Sequence, residues 1–351
     1  MNKLRVGLTY EKKTWFPFQP NDAPDANSEL LSDSEEHELI EGLSEAGQEV
    51  VCIGDANSLL ANIPHWQTAC DVVFNRSVGY KGTERKAVVP CILDAAAIPY
   101  IGSSQYSLLL TRNKYHAKIV AANAGLATPG AMLIDNGKTT HFQKVTYPAI
   151  VKPIAESSRI GIEHGKAIVY SEAEARQQAA HVQATYHQPA LVESFVAGTE
   201  VEIPVVVDAS GPHILGIAAV SVNGEIPPLD FYLSTESVYD DGYDYVPMPT
   251  TIHHAMLSEL AIKGAHALGI RDYGRIDFRI DKHGQAWFIE ASTHPHVQRC
   301  ASFYSVATWR GLTYAEMLDE LIQVGATRIA QSRLCLQKQA QSQPAMNALH
   351  F

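Results

Sequence analysis

The chain has 351 residues, enough for two or three domains with sizeable cores. Apolar residues make up 46% and charged residues 19%, which is the balance of a globular chain rather than a disordered one. Acids outnumber bases 38 to 27, for a formal net charge of -11 and a pI of 5.7. That excludes a large nucleic-acid footprint, which needs concentrated Lys and Arg, but not a small nucleotide, which needs only a few placed cations.

Cys52, Cys70, Cys91, Cys300 and Cys335 are widely spaced, so neither a zinc site nor a disulfide framework is indicated. Most sit in apolar runs and read as small core residues. The N-terminus leads straight into a strand-like run without a signal-peptide pattern, and no apolar stretch reaches the roughly 18 residues a membrane span needs. A reducing cytoplasm is the expected location, with no membrane partner.

In chain order, Leu4 to Leu8, Val50 to Ile53 and Val72 to Phe74 read as buried strands, separated by helical patterns at Leu39 to Leu43 and Pro90 to Ala97. Strands alternating with helices imply a parallel α/β sheet. Trp15 to Ser34 is rich in Pro, Asp, Asn and Ser and reads as a long surface loop, and loops of that length are often functional. A helix is expected from about Thr111 to Ala124, stopped by Gly125. The strand Ala149 to Pro153 then runs into a loop of small polar residues. Ser171 and Glu174 form a capping-box pattern for a helix to Ala184. Ala190 to Phe195 is a further strand, and Val201 to Val222 is strand-rich. A helix at His253 to Leu268 precedes two strands, Gly274 to Ile280 and Ala286 to Glu290, joined at Asp281 to Gly284. A last helix covers Tyr314 to Val324, and the Gln- and Ser-rich tail from 332 is expected to be loosely held.

Four segments carry chemistry. Asp277 and Glu290 are acids in facing apolar strands of the expected hairpin. Two opposed carboxylates repel unless a cation lies between them, and magnesium favours a few carboxylates together with substrate phosphates. The competing reading is acids paired with Arg275 or Arg279. Lys152 is delivered by a strand into Pro153 to Gly161, a loop whose backbone N–H groups suit phosphate oxygens; a snorkelling lysine before a plain surface loop is the alternative. Glu193 and Glu200 flank an apolar linker that could meet adenine and ribose, although such acids are usually just solvated. Lys114 lies in a first helical turn, on the wrong side of the helix dipole, which a nearby anion would explain.

These segments resemble, in order and spacing, the D-alanine–D-alanine ligase family of ATP-grasp enzymes. Asp71 to Asn75 is similar to that family's strand ending in Phe-Asn, Ile98 to Ser103 to its IPYTGS segment, Ile150 to Gly161 to its VKP…EGSSVG loop, and Glu290 to Pro295 to its EANTSPG motif. The resemblance runs over roughly 71–324. It implies an α/β (α+β) ATP-grasp fold with a parallel pre-ATP-grasp domain over 1–104, a central subdomain over 105–198, a C-terminal catalytic subdomain over 199–331 and a tail over 332–351.

It also implies roles. ATP phosphates would meet Lys114 and Lys152, adenine would lie at Glu193, Phe195 and Val196, and Glu200 would hold the ribose. Asp277, Glu290 and Ser292 would hold one or two Mg²⁺ ions, with Mn²⁺ a possible substitute. Arg275 would stabilise the transferring phosphoryl group, Ser158 would lie where the phosphate loop meets substrate, and Tyr232 would sit on a closing loop. The implied reaction joins a small-molecule carboxylate, as its acylphosphate, to an amine, with amino acids the expected substrates in both cases; a homodimer is the implied assembly.

Several positions depart from the family pattern. Its metal-binding Asn is Ser292 here, a lysine after the loop tyrosine is Ser237, and the Gly after the motif proline is His296. Gln298 to Ser302 replaces a serine–leucine pair that receives the acceptor, which makes Arg299 and Ser302 candidate substrate contacts; a surface charge is the alternative for Arg299. Asn75 to Gly82 replaces Ala-Leu-His-Gly, which makes Arg76 another candidate. Ser34 to Glu38 keeps only a faint trace of the family's N-terminal signature and reads as a first helical turn. His294, His296 and Cys300 lack a clear fourth ligand for a transition metal. The expected function is therefore ligation of a pair other than two D-alanines. The alternatives are a true D-alanine–D-alanine ligase and a non-catalytic ATP-binding regulatory module.

Overall fold

The computed structural model describes residues 3–239, 242–248 and 252–342, with side chains omitted at 238, 239, 252 and 336–342. The first sheet is parallel. It comprises β1 (Arg5–Thr9), β2 (Glu49–Gly54), β3 (Val72–Asn75) and β4 (Tyr100–Ile101), in the order β2-β1-β3-β4. Its crossovers carry α1 (Asp33–Glu45), α2 (Ala56–Ala61), α3 (Ile63–Ala69) and α4 (Val88–Ala95). Ser32 and Glu35 form a capping box at α1, so the acid-rich run from Ser34 is the first helical turn, as expected.

The helix expected from Thr111 is instead two. Asn113 breaks the path between α5 (Gln105–Arg112) and α6 (Lys114–Asn123), and its side chain accepts the His116 N–H at 3.0 Å. Lys114 is thereby the first residue of α6. The second sheet holds β5 (Ala131–Asp135), β6 (Lys138–His141), β7 (Ala149–Pro153), β8 (Ile168–Val169) and β9 (Ala190–Ser194), and α7 (Glu172–Tyr186) covers one face.

The third sheet is antiparallel. It holds β10 (Gly198–Asp208), β11 (Gly211–Ile214), β12 (Ala218–Ser221), β13 (Asp244–Pro247), β14 (Asp272–Asp281) and β15 (Ala286–Ser292). The helices beside it are α8 (Thr235–Tyr239), α9 (Ile252–Ala267) and α10 (Ser302–Trp309). The last helix, α11 (Tyr314–Ser342), corrects the tail: 332–342 continue the helix, and 343–351 lie outside the described residues. A second correction concerns the cysteines, of which only Cys70 is buried; the other four lie at the surface, so an apolar run did not place them in a core. Among the described residues no helix is long and apolar enough to cross a membrane.

Val6, Leu8, Leu39 and Phe74 of the first sheet and its helix share one core with Val206, Tyr273, Phe303 and Leu321 from the third sheet and the C-terminal helices. The second sheet has its own core, with Val151, Ala179 and Val192 at its centre. The candidate site lies where these bodies meet.

Candidate functional site

Asp277 and Glu290 are register partners across β14 and β15, as the hairpin pattern predicts. Glu202 on β10 is the register partner of Asp277 on its other side, so three acids cross three adjacent strands in one row. Glu202 was not singled out in the sequence, although its i, i+2 spacing from Glu200 in an apolar strand marks both for one face. Arg275 holds Asp277 through two 2.7 Å bonds and reaches Glu202 at 2.9 Å; Glu202 also accepts from the Tyr245 hydroxyl at 2.9 Å.

Burial pushes the Asp277 carboxyl up to about 7, against the pull of Arg275 and with the push of Glu202. Burial acts the same way on Glu290, but Lys114, Arg159 and Lys152 together hold it far below the usual carboxylate range. Lys114 lies 3.2 Å from Glu290 and donates to the Glu156 carbonyl, which accounts for a cation in the first turn of α6. Ser292, two residues beyond Glu290 on β15, is the register partner of Arg275. Among the described residues no three His, Cys, Asp or Glu side chains converge as a ready-made metal cage. Two carboxylates held in register on adjacent strands fit Mg²⁺, which takes few protein ligands and fills its octahedron with phosphate and water.

A second group of cations stands behind the first. Lys152 on β7 lies 3.4 Å from Glu193 on β9, and Lys118, one turn after Lys114, lies 2.5 Å from it. Lys118 is fully buried, and burial lowers its pKa to about 8 against the pull of Glu193. It was missed in the sequence, where its i, i+4 spacing from Lys114 was the available signal. Phe195 follows β9, with the Arg279 guanidinium 5.0 Å over its ring and the Tyr232 ring edge-on at 6.3 Å; Val196 is the next residue of the same linker. Glu200 is held by Arg159 and, at 3.2 Å, by Arg279.

In the loop after β7, Ser158 and Arg159 both adopt left-handed backbone, with φ of 52° and 61°. That conformation is costly without glycine and collects where loops wrap ligands. Tyr232 accepts the Gly165 N–H at 2.9 Å, and Thr235 donates to the Arg159 carbonyl at 2.8 Å, so the 232–235 segment already rests on this loop.

Beside the acid row opens a cavity of about 460 Å³, lined among others by Lys114, Ser158, Arg159, Arg275, Glu290 and Ser292. His296 also lines it and meets the Ser158 hydroxyl at 2.9 Å. Burial and the charge of Arg76 lower the His296 pKa to about 4 and take His294 well below its ordinary value. Arg76 lines the cavity from a buried position.

Two candidates are not brought in. Arg299 turns away, 2.6 Å from Glu38 and 4.5 Å over the Tyr314 ring, because an acid and an aromatic face outside the cavity capture it. Ser302 is buried at the start of α10 and does not line the cavity.

Trp15 to Ser34 was expected to be a long surface loop; instead Asp25, Glu29, Leu30 and Leu31 are buried, and α1 already begins at Asp33. The segment lays Ser28 and Glu29 along the cavity, and Glu29 enters a buried cluster with Arg85, Lys86 and Arg112.

The family model described as D-ala D-ala ligase C-terminus matches residues 122–323, more than half of the chain. A D-alanine–D-alanine ligase of Bordetella petrii is 30% identical over 241 residues, covering 68% of this chain and 71% of that protein. An uncharacterized protein, y4sG, of Sinorhizobium fredii is 25% identical over 83% of this chain and 87% of its own length. Among solved structures, the D-alanine–D-alanine ligase of Bacillus anthracis complexed with ATP superposes with a TM-score of 0.70 at 17% identity, covering 94% of this chain and 99% of that one. The VanG D-Ala:D-Ser ligase of Enterococcus faecalis gives 0.67, also at 17% identity, covering 92% and 100%. The parallel first sheet and the antiparallel third sheet are therefore those of the ATP-grasp fold, and the chain belongs to the D-alanine–D-alanine ligase family.

Proposed function

We propose that the protein joins a carboxylate to an amine at the expense of ATP, through an acylphosphate, on a substrate pair other than two D-alanines. The observation that carries the ligase reading is the in-register acid pair, Asp277 and Glu290, with Asp277 held by Arg275 and Glu290 lining one cavity with Lys114, Arg159 and Arg275. Asp277, Glu290 and Ser292 would hold Mg²⁺, which supplies charge neutralisation on phosphate oxygens when bound.

Lys114 and Lys152 would hold ATP phosphates, with Lys118 fixing Glu193 behind them. Phe195 and Val196 would flank adenine and Glu200 would take the ribose. A substrate carboxylate oxygen attacks the γ-phosphorus, and the bond to the β,γ-bridging oxygen breaks to release ADP. Arg275 and Arg159 face the charge that spreads over the transferring oxygens. The amine nitrogen then attacks the acyl carbon, loses its proton and expels inorganic phosphate. Ser158, tied to His296, would orient the carboxylate. Tyr232 and Thr235, resting on the phosphate loop, would keep water from the acylphosphate.

The substrate reading rests on the lining. His296 and Arg76 introduce a ring and a guanidinium where the family pattern has small or different residues. The test is phosphate release from ATP and Mg²⁺ with all pairs of L- and D-amino acids, products being read by mass spectrometry. A condensed product from a pair other than two D-alanines is the expected outcome. D-alanyl-D-alanine as the best product would overturn the substrate reading. ATP binding with no turnover on any amino-acid or simple carboxylate donor would overturn the ligase reading.

A further inference from the structure

One wall of the cavity carries positive charge that its own acids do not balance. Arg76 is 6% exposed. Its terminal nitrogens donate to the Tyr273 hydroxyl at 2.9 Å and the Pro295 carbonyl at 2.8 Å, both neutral, and its Nε has no hydrogen-bond partner. Among the described residues it has no carboxylate partner.

Arg85, Lys86 and Arg112 share only two acids. Lys86 and Arg85 each lie 2.7 Å from Glu29, Arg85 lies 2.7 Å from Glu156, and Arg112 lies 3.2 Å from Glu156. All five side chains are buried. That cluster carries one positive charge in excess, and Arg76 adds a second. Lys13 and Glu35, which also line the cavity, add one charge of each sign. Arg76, Lys86, His294 and His296 all line the cavity, and burial with the charge of Arg76 holds both imidazoles below their ordinary pKa.

A buried guanidinium without a counter-charge is costly, and a carboxylate is the group whose geometry it matches. We propose that Arg76 and Lys86 form a subsite for a substrate carboxylate that takes no part in the reaction. This rests on the ligase reading above and narrows it. Lys86 also donates to the Ser157 hydroxyl at 3.1 Å, so the subsite adjoins the phosphate loop, with His296, bonded to Ser158, beside it. The passive carboxylate belongs either to a dicarboxylic donor or to an amino-acid acceptor.

The test is calorimetric binding to the full chain loaded with a non-hydrolysable ATP analogue and Mg²⁺. The probes are glutarate against butyrate for the donor source, and alanine against alaninamide for the acceptor source. The expected result is at least about tenfold tighter binding of the member of one pair that carries the extra carboxylate, glutarate or alanine. Arg76→Gln should erase that preference and leave affinity for the ATP analogue within about twofold. Lys86→Met, with wild-type discrimination itself, keeps the test decisive should Arg76→Gln not fold. No preference in either pair, or a preference that survives both substitutions, overturns the subsite. Failure to bind the ATP analogue instead strikes the ligase reading, and the same pairs are then compared on the nucleotide-free chain.

Discussion

Glu290 ends the acid row and faces Lys114, so its charge serves both the cations of the site and the proposed metal. Glu290→Gln keeps the volume and removes the charge. Turnover should fall by at least about a hundredfold while the fold is kept, checked by phosphate release beside circular dichroism; near-wild-type turnover would sink the metal assignment. Arg159 offers a different signature. Glu200, the proposed ribose contact, holds it, and a ribose taken by Glu200 would free the guanidinium to turn to the γ-phosphate. Arg159→Ala should weaken ATP by about tenfold and ADP by less than about twofold, as read by calorimetry, and an equal loss for both would end that idea. Lys86 gives a pH signature. Burial depresses its pKa to about 8, whereas an unfolded lysine titrates near ~10.4. Between those values the unfolded chain binds more protons, so the Lys86 contribution to stability rises with pH and is lost as pH falls through 8. The stability gap between wild type and Lys86→Met should therefore grow in favour of wild type from pH 8 to 10, by up to about 1.4 kcal/mol per pH unit in denaturant titrations. A flat gap would contradict the buried charge. At this scale the sequence was legible where neighbours along the chain decide the outcome: a short turn fixes the register of Asp277 and Glu290. Arg299 was not legible, because only the tertiary fold determines which acid or aromatic ring captures a long side chain, whereas Arg76, singled out from the sequence, does line the cavity.

The segment from Trp15 to Leu31 acts as a strap. Asp25, 2% exposed, accepts from the Gly161 N–H at 2.8 Å and from the Tyr186 and Thr235 hydroxyls at 3.3 Å each. One carboxylate thus ties the first domain to the phosphate loop, to α7 and to α8. Asp25→Ala would leave three donors without that acceptor. It should cost about 1–3 kcal/mol and make the strap the first site of limited proteolysis, with unchanged cleavage counting against it. The element pattern was readable where periodicity was strong, as in α1 and the β14–β15 hairpin. It failed at Asn113, where a cap splits a continuous helical pattern into α5 and α6, and at the C-terminal tail, where polar residues continue α11 past 332. Polar composition suits an exposed helix as well as a loop, and only packing of its first turns separates the two.

At the scale of the whole molecule, one ligand should stabilise several bodies together. Mg²⁺-ATP at about a hundred times its Kd should add about 2.7 kcal/mol and raise the melting temperature by roughly 5 °C in a thermal-shift assay, and excess chelator should shrink that rise. An unmoved melting temperature at saturating nucleotide would contradict the site. Three sheets were readable in the sequence, but their grouping was not. Leu8 and Phe74 pack in one core with Val206, Tyr273 and Leu321, and contacts between residues so far apart in sequence leave no local trace.

That shared core has a mechanical consequence. With α11 packed against α1, β4, β10 and β14, the first and third sheets form a single jaw. The second sheet, with its separate core under α7, is the other jaw, joined near Tyr115, Ile154 and Leu191 through a much smaller apolar patch. Nucleotide exchange then reduces to a bite that opens at its weakest seam. The clasps to be undone are polar: Asp25 to Gly161, Arg85 to Glu156 and Ser158 to His296. Polar clasps re-form with water at little cost, so such a jaw opens and shuts without ever exposing its hydrophobic hinge.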